Sequence, residues 1–236
     1  SAASDVYKRQ EWMYRICKTF MENFSSVSLK SAEFLDSLIN WGMSIPFDLE
    51  EAERLLSVSL SDKDIIRSLA VKNIEGETLV SVTEIGEPTG FPTNWLKSAA
   101  KGVKPFFPGP VWFDEGLGRP LWQVAAPLRD RDRKPYAVLA SQIDLAFLHE
   151  LIKKSKLSPT SYMFVVDEDG TVISHPRLSV VANQVNVARV NPAVSDVISG
   201  EEGFREVEIG GVEFYAAYRS LKKLDPANLP GWGVLY

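Results

Sequence analysis

The chain has 236 residues, a net charge of −5, 45% hydrophobic residues and a single cysteine. This is the composition of a folded globular chain, long enough for two domains of roughly 85–100 residues, each with its own core. It excludes an internal disulfide and a cysteine-based metal site, and it has no basic footprint for nucleic acid. No apolar run reaches the length needed to span a bilayer, and no signal-peptide pattern is present.

Residues 1–10, SAASDVYKRQ, are small and polar without periodicity, and are set apart from the fold as a remnant. From Glu11 to Trp41, apolar residues recur at Met13, Cys17, Phe20, Phe24, Val27, Phe34, Leu38 and Trp41. Gaps of three and four predict one helix, about 45 Å long at 1.5 Å per residue. Such a helix either packs along the core or pairs with a second copy as a homodimer. A second helix is expected over Asp48–Leu60, with Pro46 before it and Asp48 as its N-cap.

Ala70–Ser81, AVKNIEGETLVS, reads as a hairpin turning at Gly76. Glu84–Pro108 is irregular, with Gly86, Pro88, Gly90, Pro92, Pro105 and Pro108 around a short amphipathic piece, Asn94–Lys101. It carries Phe91, Trp95, Phe106 and Phe107, and Trp112, Phe113 and Trp122 follow. LWQVAAPL, the charged connector RDRDRK and PYAVL then read as a strand pair, and Leu145–Lys156 as a helix. Ser158-Pro159 is the predicted domain boundary.

The plan then recurs. FVVDEDGTVISHP (Phe164–Pro176) is a second hairpin, with Gly170 where the first has Gly76. Pro192–Ser199 is a helix stopped by Gly200. EFYAAY and GWGVL form a second strand pair around a connector with Lys222, Lys223 and Asp225. The expected organisation is therefore residues 1–10, a helical region 11–60, and two α+β units at 61–157 and 158–236.

Other chemistry finds little support. Asp167-x-Asp169-Gly170 has wrong spacing to later acids for a calcium loop and reads as a turn. His149 and His175, the two histidines, fall in different units, and His175 reads as a hydrogen-bonded strand-end residue. No nucleophile elbow, phosphate loop or zinc motif is present, so neither an enzyme nor a bound cofactor or metal is expected.

The two hairpins, the two strand pairs and the long leading helix together resemble a double Cache (PDC-type) sensor domain. The residues carrying the likeness are FVVDEDGTVISHP, GWGVLY, GPVWFDEGLGRPLWQVAAPLRD and AVLASQIDLAFLHELI. The resemblance implies an α+β fold, with a long helix along two tandem PAS-like units with antiparallel sheets. It also implies the extracytoplasmic part of a receptor of the histidine kinase, chemoreceptor or diguanylate cyclase type, with flanking transmembrane helices outside this chain. A small-molecule ligand would bind the first, membrane-distal unit, and the second would relay the change to a cytoplasmic output domain.

Amino-acid-binding members hold the carboxylate with an Arg-x-Trp-Tyr motif and the ammonium with Tyr-x-Asp plus a later Asp. Here Trp95 matches the motif Trp, Thr93 stands at the Arg and Leu96 at the Tyr. Trp112 replaces the second Tyr, while Asp114 and Asp144 match the acids. The resemblance thus implies ligand-binding residues Trp95, Trp112, Asp114, Trp122, Tyr136 and Asp144. Lacking the motif Arg, this set suits a cationic or amine-containing metabolite. The bland alternatives are that the tryptophans are core residues, that Asp144 caps the following helix, and that the tandem unit docks proteins without a small ligand.

Overall fold

The computed structural model describes residues 2–42, 48–61, 65–84, 91–102, 106–155, 160–223 and 230–236. Pro46, Asp62, Gly86, Pro88, Gly90, Pro105, Asp225 and the Ser158-Pro159 boundary lie outside the described residues. Helix α1 runs over Ala2–Gly42, 41 residues or about 60 Å. Residues 2–10 therefore extend this helix rather than standing apart from the fold. Met13, Cys17, Phe20, Phe24, Leu35 and Leu38 are buried along it, at helical spacing. Burial pushes the Cys17 thiol up to about 12, against a smaller opposing pull from Arg219, so the thiol is inert at neutral pH.

Helix α2 (Leu49–Ser61) starts where predicted, because the Asp48 carboxylate accepts the Glu50 and Glu51 N–H groups at 3.0 and 3.4 Å. Strands β1 (Ile66–Asn73), β2 (Thr78–Thr83), β3 (Phe107–Asp114), β4 (Arg119–Arg129) and β5 (Pro135–Asp144) form one sheet in the order β2-β1-β5-β4-β3. Helix α3 (Thr93–Lys101) packs against β5. Helix α4 (Ala146–Lys154) follows the last strand.

The second sheet comprises β6 (Phe164–Val166), β7 (Val172–Ser174), β8 (Gly203–Ile209), β9 (Val212–Ser220) and β10 (Gly233–Leu235), ordered β7-β6-β10-β9-β8. Counted from its own first strand, this is the order of the first sheet. The repeat inferred from hairpins is therefore a repeat of topology. Helix α5 (Leu178–Ala182) packs against β7, and α6 (Pro192–Ile198) against β8, β9 and β10. The Asn191 side chain caps α6 by accepting the Ala193 N–H at 3.0 Å.

The same device closes both hairpins. Asn73 Oδ1 accepts from Glu75 and Glu77 N–H at 3.1 and 2.8 Å, and Asp167 Oδ1 from Asp169 and Thr171 N–H at 3.0 and 2.8 Å. Three residues on, Gly76 and Gly170 take φ of +97° and +84°, a region that residues with a Cβ enter only with strain. The acidic DEDG run is thus a turn whose first carboxylate is engaged by backbone.

Strands β3 and β8 escape the sequence reading, and they occupy the same edge position in the two sheets. β3 begins Phe-Pro-Gly-Pro, and β8 carries Arg205, Glu206 and Glu208. An edge strand needs only one row of ladder bonds, so it tolerates proline and charge that mask its periodicity.

By contact, the chain divides into two compact units. One contains Leu29–Leu117 and Leu121–Leu145, with the first sheet; the other contains Ser1–Ser28, Gly118–Pro120 and Ala146–Tyr236, with the second sheet. α4 thus belongs with the second sheet, and His149 meets His175 within one unit. His149 Nδ1 lies 3.1 Å from the His175 carbonyl, which only accepts, so this nitrogen carries the proton. His175 Nδ1 accepts the Arg177 N–H at 2.9 Å, and burial holds the ring's pKa below the ordinary histidine value. His175 is a hydrogen-bonded strand-end residue, as its place before Pro176 suggests.

Candidate functional site

Side chains alternate across a sheet, so the strand register decides which residues share a face. Leu96, Ala99 and Ala100 of α3 pack with Ala125, Val138 and Ala140. Ala125 pairs with Ala140, and Ala140 with Ala70, which places three small residues in a row beneath the helix. One row further along the same face, Gln123 pairs with Gln142 and Gln142 with Ser68. All three are 0% exposed, and Ser68 Oγ donates to Gln142 Oε1 at 2.8 Å. The next row brings Leu121 opposite Asp144.

Asp144 is 3% exposed, and Arg67 Nε donates to its Oδ2 at 3.0 Å. Arg67 Nη1 also reaches Glu84 Oε2 at 3.1 Å. The guanidinium is held charged by these two carboxylates against the opposing effect of its partial burial. A buried carboxylate without such a partner would be costly, which explains why β1 carries a cation at the mouth of an apolar strand.

Trp95 lies over the neighbouring strand. Its Nε1 donates to the Pro108 carbonyl at 3.2 Å, and Phe91 stacks on it at 6.3 Å. A Cβ on Gly109 would stand 2.5 Å from the indole, so only glycine lets the ring close onto β3 here. Lys72 is 8% exposed on the same side of the sheet, donating to Thr78 Oγ1 at 2.7 Å and lying 5.5 Å from the Phe91 ring centre.

The sequence-derived residues distribute unequally over this frame. The Glu115–Gly118 turn joins β3 to β4, so Trp112 and Asp114 sit at the end of the sheet where Leu121 faces Asp144. Asp114 Oδ1 accepts the Leu117 N–H at 2.8 Å and shapes that turn. Trp112 Nε1 is buried with no acceptor among the described residues. Tyr136 shares the α3 face, but stands eight residues from Asp144 along β5, about 26 Å at 3.3 Å per residue. No small ligand touches both. Its hydroxyl is buried without a partner among the described residues, and desolvation raises its pKa.

Trp122 falls on the other face. It pairs with Ile143, three residues from the Ala125–Ala140 pair, and so points away from α3. It is fully buried there, edge-on to Phe106 at 6.1 Å, with Nε1 donating to the Gly109 carbonyl at 3.2 Å. Ser68, Gln123, Gln142 and Arg67 were absent from the sequence-derived set. Each glutamine interrupts an otherwise apolar or small-residue run, LWQVAAPL and AVLASQID, and that is the signal that would have found the two glutamines.

The chain belongs to the Cache domain family, whose pattern matches residues 3–236. Among solved structures, it is similar to the ligand-binding domain of the Pseudomonas aeruginosa amino acid chemoreceptor PctC in complex with GABA. That likeness has 20% identity, a TM-score of 0.75, and covers 96% of this chain and 98% of the other. It is also similar to the periplasmic sensory domain of the Campylobacter jejuni chemoreceptor Tlp1, at 16% identity and TM-score 0.78 over 98% and 94% of the two chains. A third likeness is to the ligand-binding domain of the Pseudomonas fluorescens chemoreceptor CtaA in complex with L-serine, at 15% identity and TM-score 0.69 over 97% and 96%. No curated protein matches. Among the described residues, no helix is long and apolar enough to cross a membrane.

Proposed function

We propose that this chain is the extracytoplasmic ligand-sensing part of a signalling receptor, and that the unit carrying the first sheet binds a small polar metabolite. The observation that carries the reading is the Ser68–Gln142–Gln123 row. It sets three polar side chains at 0% exposure on the α3 face, between a row of alanines and the Arg67–Asp144 ion pair. Buried amides of this kind add hydrogen-bonding specificity to an apolar floor, which is the composition of ligand sites. Trp95 packs on Gly109 of the edge strand, beside the Gln123 backbone, Trp112 and Asp114 lie further along that strand, and the solved relatives named above are ligand-binding or sensory domains. Tyr136 and Trp122 then act in packing.

Sensing requires a ligand that binds one conformation better than another. A panel of amino acids, amines and carboxylates is the test. At about a hundred times its dissociation constant, a specific ligand adds about 2.7 kcal/mol of stability and raises Tm by several degrees. Gln142→Leu is expected to remove that shift while leaving the protein folded. A panel in which no compound moves Tm would sink the reading.

A further inference from the structure

The β8–β9 hairpin turns at Gly210 and Gly211, with φ of +61° and +79°, the two-residue turn in which both central residues take left-handed backbone. Register puts Val207, Ile209, Val212 and Phe214 on the face shared with Arg205 and Ala216, and Glu206, Glu208, Glu213 and Tyr215 on the other. On the first face, Arg205 donates to Asp196 of α6 at 2.6 Å, and Val207 and Ala216 are buried. Further out, Ile209, Val212 and Phe214 are 36, 54 and 39% exposed. The tip is thus apolar on one side and acidic on its back, an arrangement that the packing of the unit itself does not use.

The tip, the first helix and the last strand all point to one end of this unit. Tyr236 and Ala217 exchange both backbone hydrogen bonds, at 2.9 and 3.0 Å, so the chain runs out of β10 along β9 toward Val212, which lies five residues or about 17 Å further on. Phe24 meets Trp232 at 4.8 Å and Trp12 meets Tyr236 at 5.8 Å, so α1 runs toward the same end as it is followed back to Ala2. Met13 shares a cavity with Phe204, Glu206 and Tyr215, and the helix extends eleven residues past it, about 16 Å. A second copy is a poor cover for the tip. Three partly exposed side chains present on the order of 200 Å², against about 800 Å² per partner in a stable dimer. Pairing along the free edge of β8 fares no better: full antiparallel overlap sets Glu206 opposite itself, and a shift of one pair sets Glu206 opposite Glu208 or Arg205 opposite itself.

We propose that the Ile209–Val212 tip, with Phe214 behind it, rests in the lipid interface of the membrane that the receptor spans. This rests on the reading of the chain as the extracytoplasmic part of a receptor, in which the connections to the membrane are made from α1 and β10 at this end. The apolar side of the hairpin enters the headgroup region, and Glu208 and Glu213 stay in water on its back. Such a contact fixes the height of β9 above the bilayer, so that a shift of its neighbour β10 passes into the chain below instead of being lost as tilting of the unit.

Because Cys17 is buried and its thiol inert, Val212→Cys takes an environment-sensitive thiol label at one place. The chain is tethered to phosphatidylcholine vesicles carrying a nickel-chelating lipid, through a hexahistidine after Tyr236 that reaches about 20 Å when extended. The label is expected to shift to the blue and to lose most of its emission to a lipid bearing a spin-label quencher at the headgroup–acyl boundary, about 5–10 Å deep. The same label on Glu201→Cys, an exposed position before the far end of β8, is expected to do neither. Adding Ile209→Ser and Phe214→Ser is expected to leave a tethered chain with the parent's circular dichroism, whose label at position 212 emits as in water; this separates insertion from nearness. Emission at position 212 that vesicles leave unchanged in the chain without those serines would overturn the proposal. A blue shift that needs no vesicles and grows with protein concentration would also overturn it, by putting a second copy on the tip. The assay contains no ligand, so its failure leaves sensing by the first sheet intact, and a ligand panel that moves no Tm leaves the lipid contact intact.

Discussion

Arg67→Met is expected to destabilise the unit carrying the first sheet by about 3 kcal/mol, read as a lower urea midpoint with unchanged slope. The cause is the Asp144 carboxylate, 3% exposed, which would be left buried without its cation. The value sits at the low end of the range for a broken buried pair because the Arg67 side chain is itself 26% exposed and water can take part of its place. The Glu84 contact adds little, since that carboxylate is 45% exposed. Adding Asp144→Asn to Arg67→Met is expected to recover most of the loss, because no orphan charge then remains. A double variant as unstable as the single would show that packing, not charge, sets the cost.

Trp122→Ala is expected to cost about 3–5 kcal/mol, the range for removing a large buried aromatic side chain. The indole is fully buried, meets Phe106 edge-on and donates to the Gly109 carbonyl, so its loss opens a cavity and orphans an acceptor on β3, the strand that Trp95 packs against. Trp122→Phe is expected to cost much less than Trp122→Ala. Because Trp122 points away from α3, the phenylalanine variant is expected to keep the wild-type ligand affinity. Loss of binding in a variant that remains as stable as the parent would place Trp122 in the site after all.

Local signals made most of the fold legible. A turn glycine marked both hairpins, three-four periodicity marked the long helix, and Asp48 marked the start of the second. The edge strands β3 and β8 were not legible, since proline and charge are tolerated where only one side is paired. The geometry around the candidate site was legible only in part. Likeness proposed Trp95, Asp114 and Asp144, but the face on which a strand residue points depends on register, which a single sequence does not state. Trp122 therefore entered the candidate set although it faces away from α3. The Arg67–Asp144 pair, 77 residues apart, depends on β1 lying beside β5, an adjacency that no local pattern announces.

The central claim is that a small molecule binds at the Gln123–Gln142 end of the first sheet, and indole N–H NMR tests it most directly. Trp95 meets β3 at Gly109, beside the Gln123 backbone, and Trp112 lies further along that strand, whereas Trp12 and Trp232 lie in the other unit and Trp122 is bonded on the opposite face. Titrating in whichever compound raises Tm most is expected to move the Trp112 indole resonance furthest, as its unmatched N–H gains an acceptor. Trp12 and Trp232 are expected to stay in place. Shifts confined to Trp12 and Trp232, with Trp95 and Trp112 still, would contradict the account and put the binding site in the unit of the second sheet.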